Sequence, residues 1–249
     1  MKKQRTAVVT GSNSGIGLGI AHALAAEGHN VVINSYTDTA EDHALADEIA
    51  KKHGNRTAYI QANLFDGDDA RALVHKAAEA FGSVDILVNN AGIQHVAPIE
   101  DFPVDMWNRI IALNMSAAFH TSAVAVPLMR EAGWGRIVNQ LSSGAFPAQS
   151  VYGVSKLALL GVTTTLAQEA GRSGITVNAI APGVTDSGAG LTLRENPSEY
   201  SKMWEMMCPL SYRGQPDQLT GAMLYLCSEA GSWTTGQVIH VDGGAVMIP

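Results

Sequence analysis

The sequence predicts an α/β fold: one domain with a doubly wound parallel sheet and helices on both faces. Three features carry that prediction. Short β-branched runs alternate with longer helix-patterned stretches along the chain. The runs are nearly all apolar, as in Asp85–Asn89 (D-I-L-V-N), which suits strands covered on both faces. The first run ends in a glycine-rich turn that opens a helix.

In chain order, Thr6–Thr10 (T-A-V-V-T) is the first strand, and a helix follows from Gly15 to Glu27, closed by Gly28. Val31–Asn34 is the second strand, and Thr39 to His53 the second helix, with Gly54 past its end. Thr57–Gln61 and Asp66–Phe81 are the third strand and helix. After Asp85–Asn89, a helix from Trp107 to Arg130 runs through Asn114. Arg136–Leu141, a helix over Tyr152–Arg172 and Thr176–Ile180 follow, then a helix over Gln218–Leu226 and a last strand, Val238–Val241. Right-handed crossovers turn this order into the Rossmann arrangement. No repeat, linker or low-complexity stretch interrupts it, so residues 1–249 read as one domain.

Composition narrows the functional classes. Hydrophobic residues are 46% and charged residues 16%, which suits a buried core, and the net charge of -7 argues against nucleic acid as a partner. Cys208 and Cys227 make neither a disulfide framework nor a zinc set, and no metal is expected. They fit a cytoplasmic, reducing location. Met1–Thr6 is basic but leads straight into a strand, not into a signal sequence. No apolar run reaches membrane-span length, so no membrane partner is expected.

Two stretches point to chemistry. The turn Gly11–Gly17 (G-S-N-S-G-I-G) sits at a helix N-terminus, where unpaired N–H groups and the helix dipole favour a pyrophosphate. Gly11 suits the sharp turn, and Gly15 and Gly17 suit close approach. In Ser142–Lys156, Tyr152 and Lys156 lie four residues apart and share a helix face. A free tyrosine keeps its proton to about pH 10, and an adjacent ammonium lowers that value. With a serine nearby to hold a substrate oxygen, the set forms a proton-transfer device for a carbonyl/alcohol couple. Taken alone, the Tyr–Lys pair also reads as an ordinary exposed helix pair.

The motifs T-G-x-x-x-G-x-G at Thr10–Gly17, N-N-A-G at Asn89–Gly92, Y-x-x-x-K at Tyr152–Lys156, Pro182-Gly183, and V-D-G-G at Val241–Gly244 occur in this order. Together they resemble the short-chain dehydrogenase/reductase family over essentially the whole chain. The resemblance implies a nicotinamide-dependent oxidoreductase. It makes Tyr152 the general acid/base and has Lys156 lower its pKa and bind the nicotinamide ribose. Ser142 would hold the substrate oxygen, with Ser143 as an alternative, because the Ser142–Tyr152 spacing of ten is shorter than usual. Asn114 would support a water-linked proton path through Lys156; otherwise it is a buried amide at a helix kink. The implied cofactor contacts are Gly11, Ser14, Gly15, Ile16 and Gly17 in the turn, and Tyr36, Asn63 and Leu64 near the adenosine. Asn90, Ala91 and Gly92 follow strand four, and Tyr152, Lys156, Pro182, Gly183, Val184 and Ser187 complete the set.

The cofactor and substrate are read from what is missing. NADP needs a cation near Ser14 or the end of strand two, and Asn34-Ser35-Tyr36-Thr37 offers none. NAD is therefore expected over NADP, although the usual ribose-binding acid is also absent unless Asp38 reaches. Arg56 is the cation to examine if NADP is preferred. The loop Ala91–Pro103 is similar to that of bacterial 3-hydroxybutyrate dehydrogenases, which implies that Gln94 contacts substrate. Gly144 and Gln149 stand where those enzymes have a His and a Lys, so a bulkier, neutral alcohol or ketone is expected. Gly144 and Gln149 nevertheless border the substrate site, and His95 is either a substrate contact or a loop residue. Residues 186–214, with Met203, Trp204, Met206 and Met207, are read as a lid or as ordinary core or subunit contact. A 3-oxoacyl-thioester reductase and a dinucleotide-sensing regulator are the other readings. The family resemblance also implies a homo-oligomer, tetramer or dimer.

Overall fold

The computed structural model describes residues 4–95, 97–146, 148, 150–187, 206 and 208–247. The strands are β1 (Thr6–Val9), β2 (Asn30–Ile33), β3 (Thr57–Tyr59), β4 (Ile86–Asn89), β5 (Gly135–Gln140), β6 (Ile175–Pro182) and β7 (Val238–Val241). They form one sheet in the order β3-β2-β1-β4-β5-β6-β7, and every pairing is parallel. The helices are α1 (Gly15–Ala26), α2 (Ala40–His53), α3 (Gly67–Phe81), α4 (Val104–Ile111), α5 (Ala117–Ala132), α6 (Val151–Ala170) and α7 (Thr220–Cys227).

The strand pleat sorts the core into two layers. Val8, Val32, Leu87, Ile137 and Val177 face Leu73, Val74, Val124 and Met129 of α3 and α5. Their neighbours Ala7, Val9, Val31, Ile33, Val88 and Val138 face Ile20, Leu24, Ile49 and Met223 of α1, α2 and α7. Alternation of side chains at period two gives the central strands two covered faces, which is why β1, β2 and β4 read as largely apolar runs. Each fully buried Leu or Ile contributes about 1.5–3 kcal/mol.

Local chemistry sets the helix ends. Thr39 caps α2 in a reciprocal box with Asp42, and Gly54 ends it in the left-handed conformation at φ 69°. Asp66 caps α3 by accepting from the Asp68 and Asp69 N–H groups. Between α4 and α5, Ala112–Ser116 adopts a π turn, so residues 104–132 form one continuous 29-residue helical stretch. By length and composition it is apolar enough to cross a membrane, although no such run stood out in the sequence. Ile110, Leu113, Val124, Ala125 and Met129 bury it in the domain instead, as the core helix of this sheet.

At the N-terminal edge of the sheet, Arg136 is buried at 2% exposure. Its guanidinium and that of Arg5 lie 4.2 and 3.6 Å from the Trp134 ring centroid. Glu229 accepts from Trp134 Nε1 at 2.8 Å and lies 3.5 Å from Arg136 Nη2. This cluster ties the chain after α7 to β5, and nothing in the sequence pattern announced it.

Candidate active site

The sheet order reverses between β1 and β4, which leaves a crevice beyond the carboxyl ends of these strands. A cleft of about 350 Å³ occupies that crevice. The glycine turn forms its floor. Gly11 and Gly15 have φ of 58° and 57°, a conformation that L side chains adopt only with strain. A Cβ on Gly17 would strike Gly11 O and lie 2.5 Å from Asn90 Nδ2. Asn90 Nδ2 donates to Thr10 O and Gly11 O at 2.8 Å each, and Gly11 N donates to Asn34 Oδ1 at 3.3 Å. The turn is thus held from both sides by the protein's own hydrogen bonds.

The N-terminus of α1 is left open. Ser14 makes no side-chain capping bond, and the first turn holds no acid. By contrast, α2 and α3 fill theirs with Glu41 and Asp42, and with Asp68 and Asp69. Unfilled N–H groups at a helix N-terminus, in a described wall without a single carboxylate, fit a dinucleotide pyrophosphate.

At the β2 end of the cleft the wall is Ser35, Tyr36, Ala62, Leu64 and Phe65. Asn63 differs from the sequence reading. It is exposed and lies outside the cleft wall, and its Oδ1 accepts from Phe65 N at 3.3 Å. Asp38 does not reach the ribose position, since its Oδ1 pairs with His43 Nε2 at 2.8 Å. Arg56 is turned to the end of α3, donating to Ala80 O and lying over Phe81.

At the other end Ser150 caps α6 through Gly153 N and starts the helix that carries Tyr152 and Lys156. Both line the cleft, with Lys156 Nζ 5.7 Å from the Tyr152 ring centroid. Lys156 is 2% exposed and donates to Gln140 O at 2.8 Å. Burial pushes its pKa from 10.5 down to about 8. Asn114 stands behind this pair. Its Oδ1 accepts from Ile93 N at 2.8 Å, and its Nδ2 donates to Ile93 O and Ser155 Oγ at 2.9 and 3.0 Å. The side chain is a buried amide at a helix irregularity, clamping the 93 loop to α6. A Cβ on Gly92 would lie 3.2 Å from Asn114 Oδ1 and 3.3 Å from Lys156 Nζ, so both groups converge on that glycine.

Ser142 is half-buried and Ser143 fully buried, at 2% exposure. The Ser142 hydroxyl accepts from Gly144 N at 3.1 Å. Its loop packs on the first turn of α6: a Cβ on Gly153 would fall 2.6 Å from Gly144 O. Neither Ser142 nor Gly144 is part of the cleft wall, while Gln94 and Ser187 are. Pro182 ends β6, and Gly183 and Val184 line a separate cavity of about 120 Å³ and not the cleft. His95 packs edge-on against Phe102, with centroids 5.3 Å apart. Gln149 and, of the 186–214 segment, residues 188–205 and 207 lie outside the described residues. Cleft residues that the sequence reading missed include Asn13, Phe65, Ile93 and Gln140. Strand alternation could have found Gln140, because its neighbour Asn139 points the other way, to Asn89 and Thr163.

The family profile described as Enoyl-(Acyl carrier protein) reductase (adh_short_C2) matches residues 11–246. The chain is 40% identical to D-beta-hydroxybutyrate dehydrogenase of Cupriavidus necator, with 99% of each chain covered. It is 36% identical to the 3-oxoacyl-[acyl-carrier-protein] reductase FabG of Staphylococcus aureus, covering 99% of this chain and 100% of that one. A solved structure from Beutenbergia cavernae, with NADP bound at low occupancy, superposes with a TM-score of 0.90 at 36% identity, covering 97% of this chain and 96% of that one. By sequence over nearly its whole length, and by fold, the chain belongs to the short-chain dehydrogenase/reductase family, as an NAD(P)-dependent oxidoreductase of alcohols and ketones.

Proposed function

We propose that this chain interconverts a neutral secondary alcohol and its ketone, prefers NAD to NADP, and uses Tyr152 as the acid/base. One observation carries the first two claims: among the described residues, Lys156 is the only charged side chain in the cleft wall. A 2′-phosphate beside Asn13, Ser14, Ser35 or Tyr36 meets no cation, and neither does a substrate carboxylate beyond Lys156. An anion held without paired donors is costly.

When bound, the nicotinamide supplies or accepts the hydride. Tyr152 gives its phenolic proton to the carbonyl oxygen during reduction and takes it back from the alcohol during oxidation. The Lys156 ammonium favours the phenolate and holds the ribose. The Ser142 hydroxyl donates to the substrate oxygen, and Ser143, buried beside it, is the alternative. Asn114 positions the 93 loop and α6 so that Lys156 stays aligned and linked to water. Gly11, Ser14, Gly15, Ile16 and Gly17 bind the pyrophosphate; Tyr36 and Leu64 flank the adenosine; Asn90, Ala91 and Gly92 border the ribose; and Pro182, Gly183, Val184 and Ser187 border the nicotinamide. On the sequence alone, Gln94, Gly144 and Gln149 are assigned to the substrate site and the segment 186–214 to its lid, within one domain of 249 residues.

A 3-hydroxybutyrate reading is favoured by the Cupriavidus relative and by Gln94 in the wall. Gly144 opposes it, because it offers a carboxylate no side chain. Homo-oligomerisation, as a dimer or tetramer, is supported by exposed Val104, Trp107, Phe119, Val154 and Leu157 along α4, α5 and α6, and the free thiols of Cys208 and Cys227 fit a reducing, cytoplasmic location. The deciding assay compares kcat/KM for 3-hydroxybutyrate and a 1-aryl-ethanol, each with NAD and with NADP. Higher values for the aryl alcohol and for NAD are expected. A clear preference for 3-hydroxybutyrate refutes the substrate reading, and a preference for NADP refutes the cofactor reading.

A further inference from the structure

Asp42 lies in the first turn of α2 and is buried, at 6% exposure. Its carboxylate stands behind the β2 end of the cleft. Oδ1 accepts from Asn13 Nδ2 at 2.9 Å, and Asn13 is part of the cleft wall. Oδ2 accepts from Thr37 Oγ1 at 2.8 Å, and that hydroxyl lies 3.4 Å from Oγ of Ser35, another wall residue. Thr39 adds its N–H and its hydroxyl at 3.3 and 3.0 Å. Burial raises the pKa of this carboxyl, but the bonds from Asn13, Thr37 and Thr39 more than reverse that and hold it below the ordinary carboxylate value. The group is therefore an anion at neutral pH. Capping α2 asks only for an acceptor at Thr39 N. The bonds to Asn13 and Thr37 lead away from the helix towards the cleft, and the cap does not require them.

We propose that Asp42 is a specificity-determining residue: from behind the wall, its charge and the donors it occupies set the cleft against a 2′-phosphate and in favour of a 2′-hydroxyl. The inference rests on the NAD preference proposed above and deepens it, adding a resident anion to a missing cation. Asp38 is nearer to β2 in the chain, but it is paired with His43. Two effects act together. Coulomb repulsion needs no contact, so a carboxylate held inside the protein still raises the cost of a second anion at the wall. The Asn13 and Thr37 donors are also spent on Asp42. A phosphate only accepts, and meets negative charge with those donors already taken. A ribose hydroxyl can donate, and the Asn13 amide, held by its Nδ2, keeps Oδ1 as an acceptor. The pyrophosphate is not subject to the same shortage, because the open N-terminus of α1 supplies it with N–H groups. Asp42 itself touches no part of the cofactor.

The test titrates NADH and NADPH into the full-length protein. Wild type is compared with Asp42→Asn, which keeps the shape and the cap acceptor but removes the charge, and with Asp42→Ser, so that one misfolded variant does not end the experiment. Glu41→Gln is the control: Glu41 is an exposed acid in the same helical turn, so its loss changes net charge and helix dipole equally. Both Asp42 variants are expected to bind NADPH roughly three- to tenfold more tightly than wild type, with NADH within about twofold. Glu41→Gln is expected to leave both constants unchanged. Unchanged NADPH binding in the Asp42 variants would overturn the assignment. So would an equal change for NADH and NADPH, which marks a structural role, or the same gain from Glu41→Gln, which marks bulk charge. The cofactor reading is judged separately, on wild type alone. Tighter NADPH than NADH binding there refutes the NAD preference, while the shift between wild type and the Asp42 variants still decides the role of Asp42. Wild type that bound neither would overturn the dinucleotide reading and the assignment with it.

Discussion

A lysine with 2% of its surface exposed is a poor choice for stability, and that makes Lys156 informative. Its pKa is lowered from 10.5 to about 8 by burial. The folded protein therefore binds this proton less tightly than the unfolded chain does, and folding carries the full penalty below pH 8. The penalty shrinks as pH rises from 8 to 10.5, where the unfolded chain also loses its proton. The shift corresponds to at most about 3 kcal/mol. Lys156→Met should abolish turnover yet raise the melting temperature of the cofactor-free protein by several degrees at pH 7, with the gain fading towards pH 10. Thermal melts across that range check it; a variant that melts lower at pH 7 would show that the charge is compensated in the fold. Sequence spacing was enough to pair Tyr152 with Lys156, because one helical turn fixes their relation. It could not show that Asn114 spends its side chain on Ile93 and Ser155, nor that Asn63 turns away from the cleft. Both depend on contacts between distant segments.

At the scale of elements, caps and strand runs were legible because they are local. Thr39, Gly54, Asp66 and Gly82 sit where the sequence placed the helix ends. The π turn at Ala112–Ser116 was not legible, since it has no local signature and is held in place by the 93 loop. Contacts between helices were also hidden. His22 of α1 and His53 of α2 lie 3.1 Å apart through their ring nitrogens. Burial lowers the pKa of both, with Lys52 adding to it and Glu48 opposing it at His22. Both rings are thus favoured neutral in the fold. Their contribution is complete above the ordinary value of 6.5 and is lost as pH falls through the lower folded values. His22→Gln should flatten the loss of thermal stability between pH 7 and pH 5; an unchanged slope would place acid sensitivity elsewhere.

For the molecule as a whole, the doubly wound sheet was readable because the parallel strands are short, the central ones are mostly apolar, and helical patterns separate them. The site was readable where it depends on glycines and on one helix turn. It was unreadable where tertiary packing builds the wall, as at Phe65, Ile93 and Gln140. The central claim joins these scales: the sheet crevice binds a dinucleotide, and α6 brings a single phenol to its end as acid/base. Tyr152→Phe keeps the ring and removes only the hydroxyl. The most direct measurement follows nicotinamide absorbance with a ketone substrate for wild type and Tyr152→Phe, beside an NADH titration of each. The account predicts NADH binding within about twofold of wild type, a shift of only ~0.4 kcal/mol, with almost all turnover gone. A variant retaining a tenth or more of wild-type turnover, a barrier change of no more than ~1.4 kcal/mol, would contradict it.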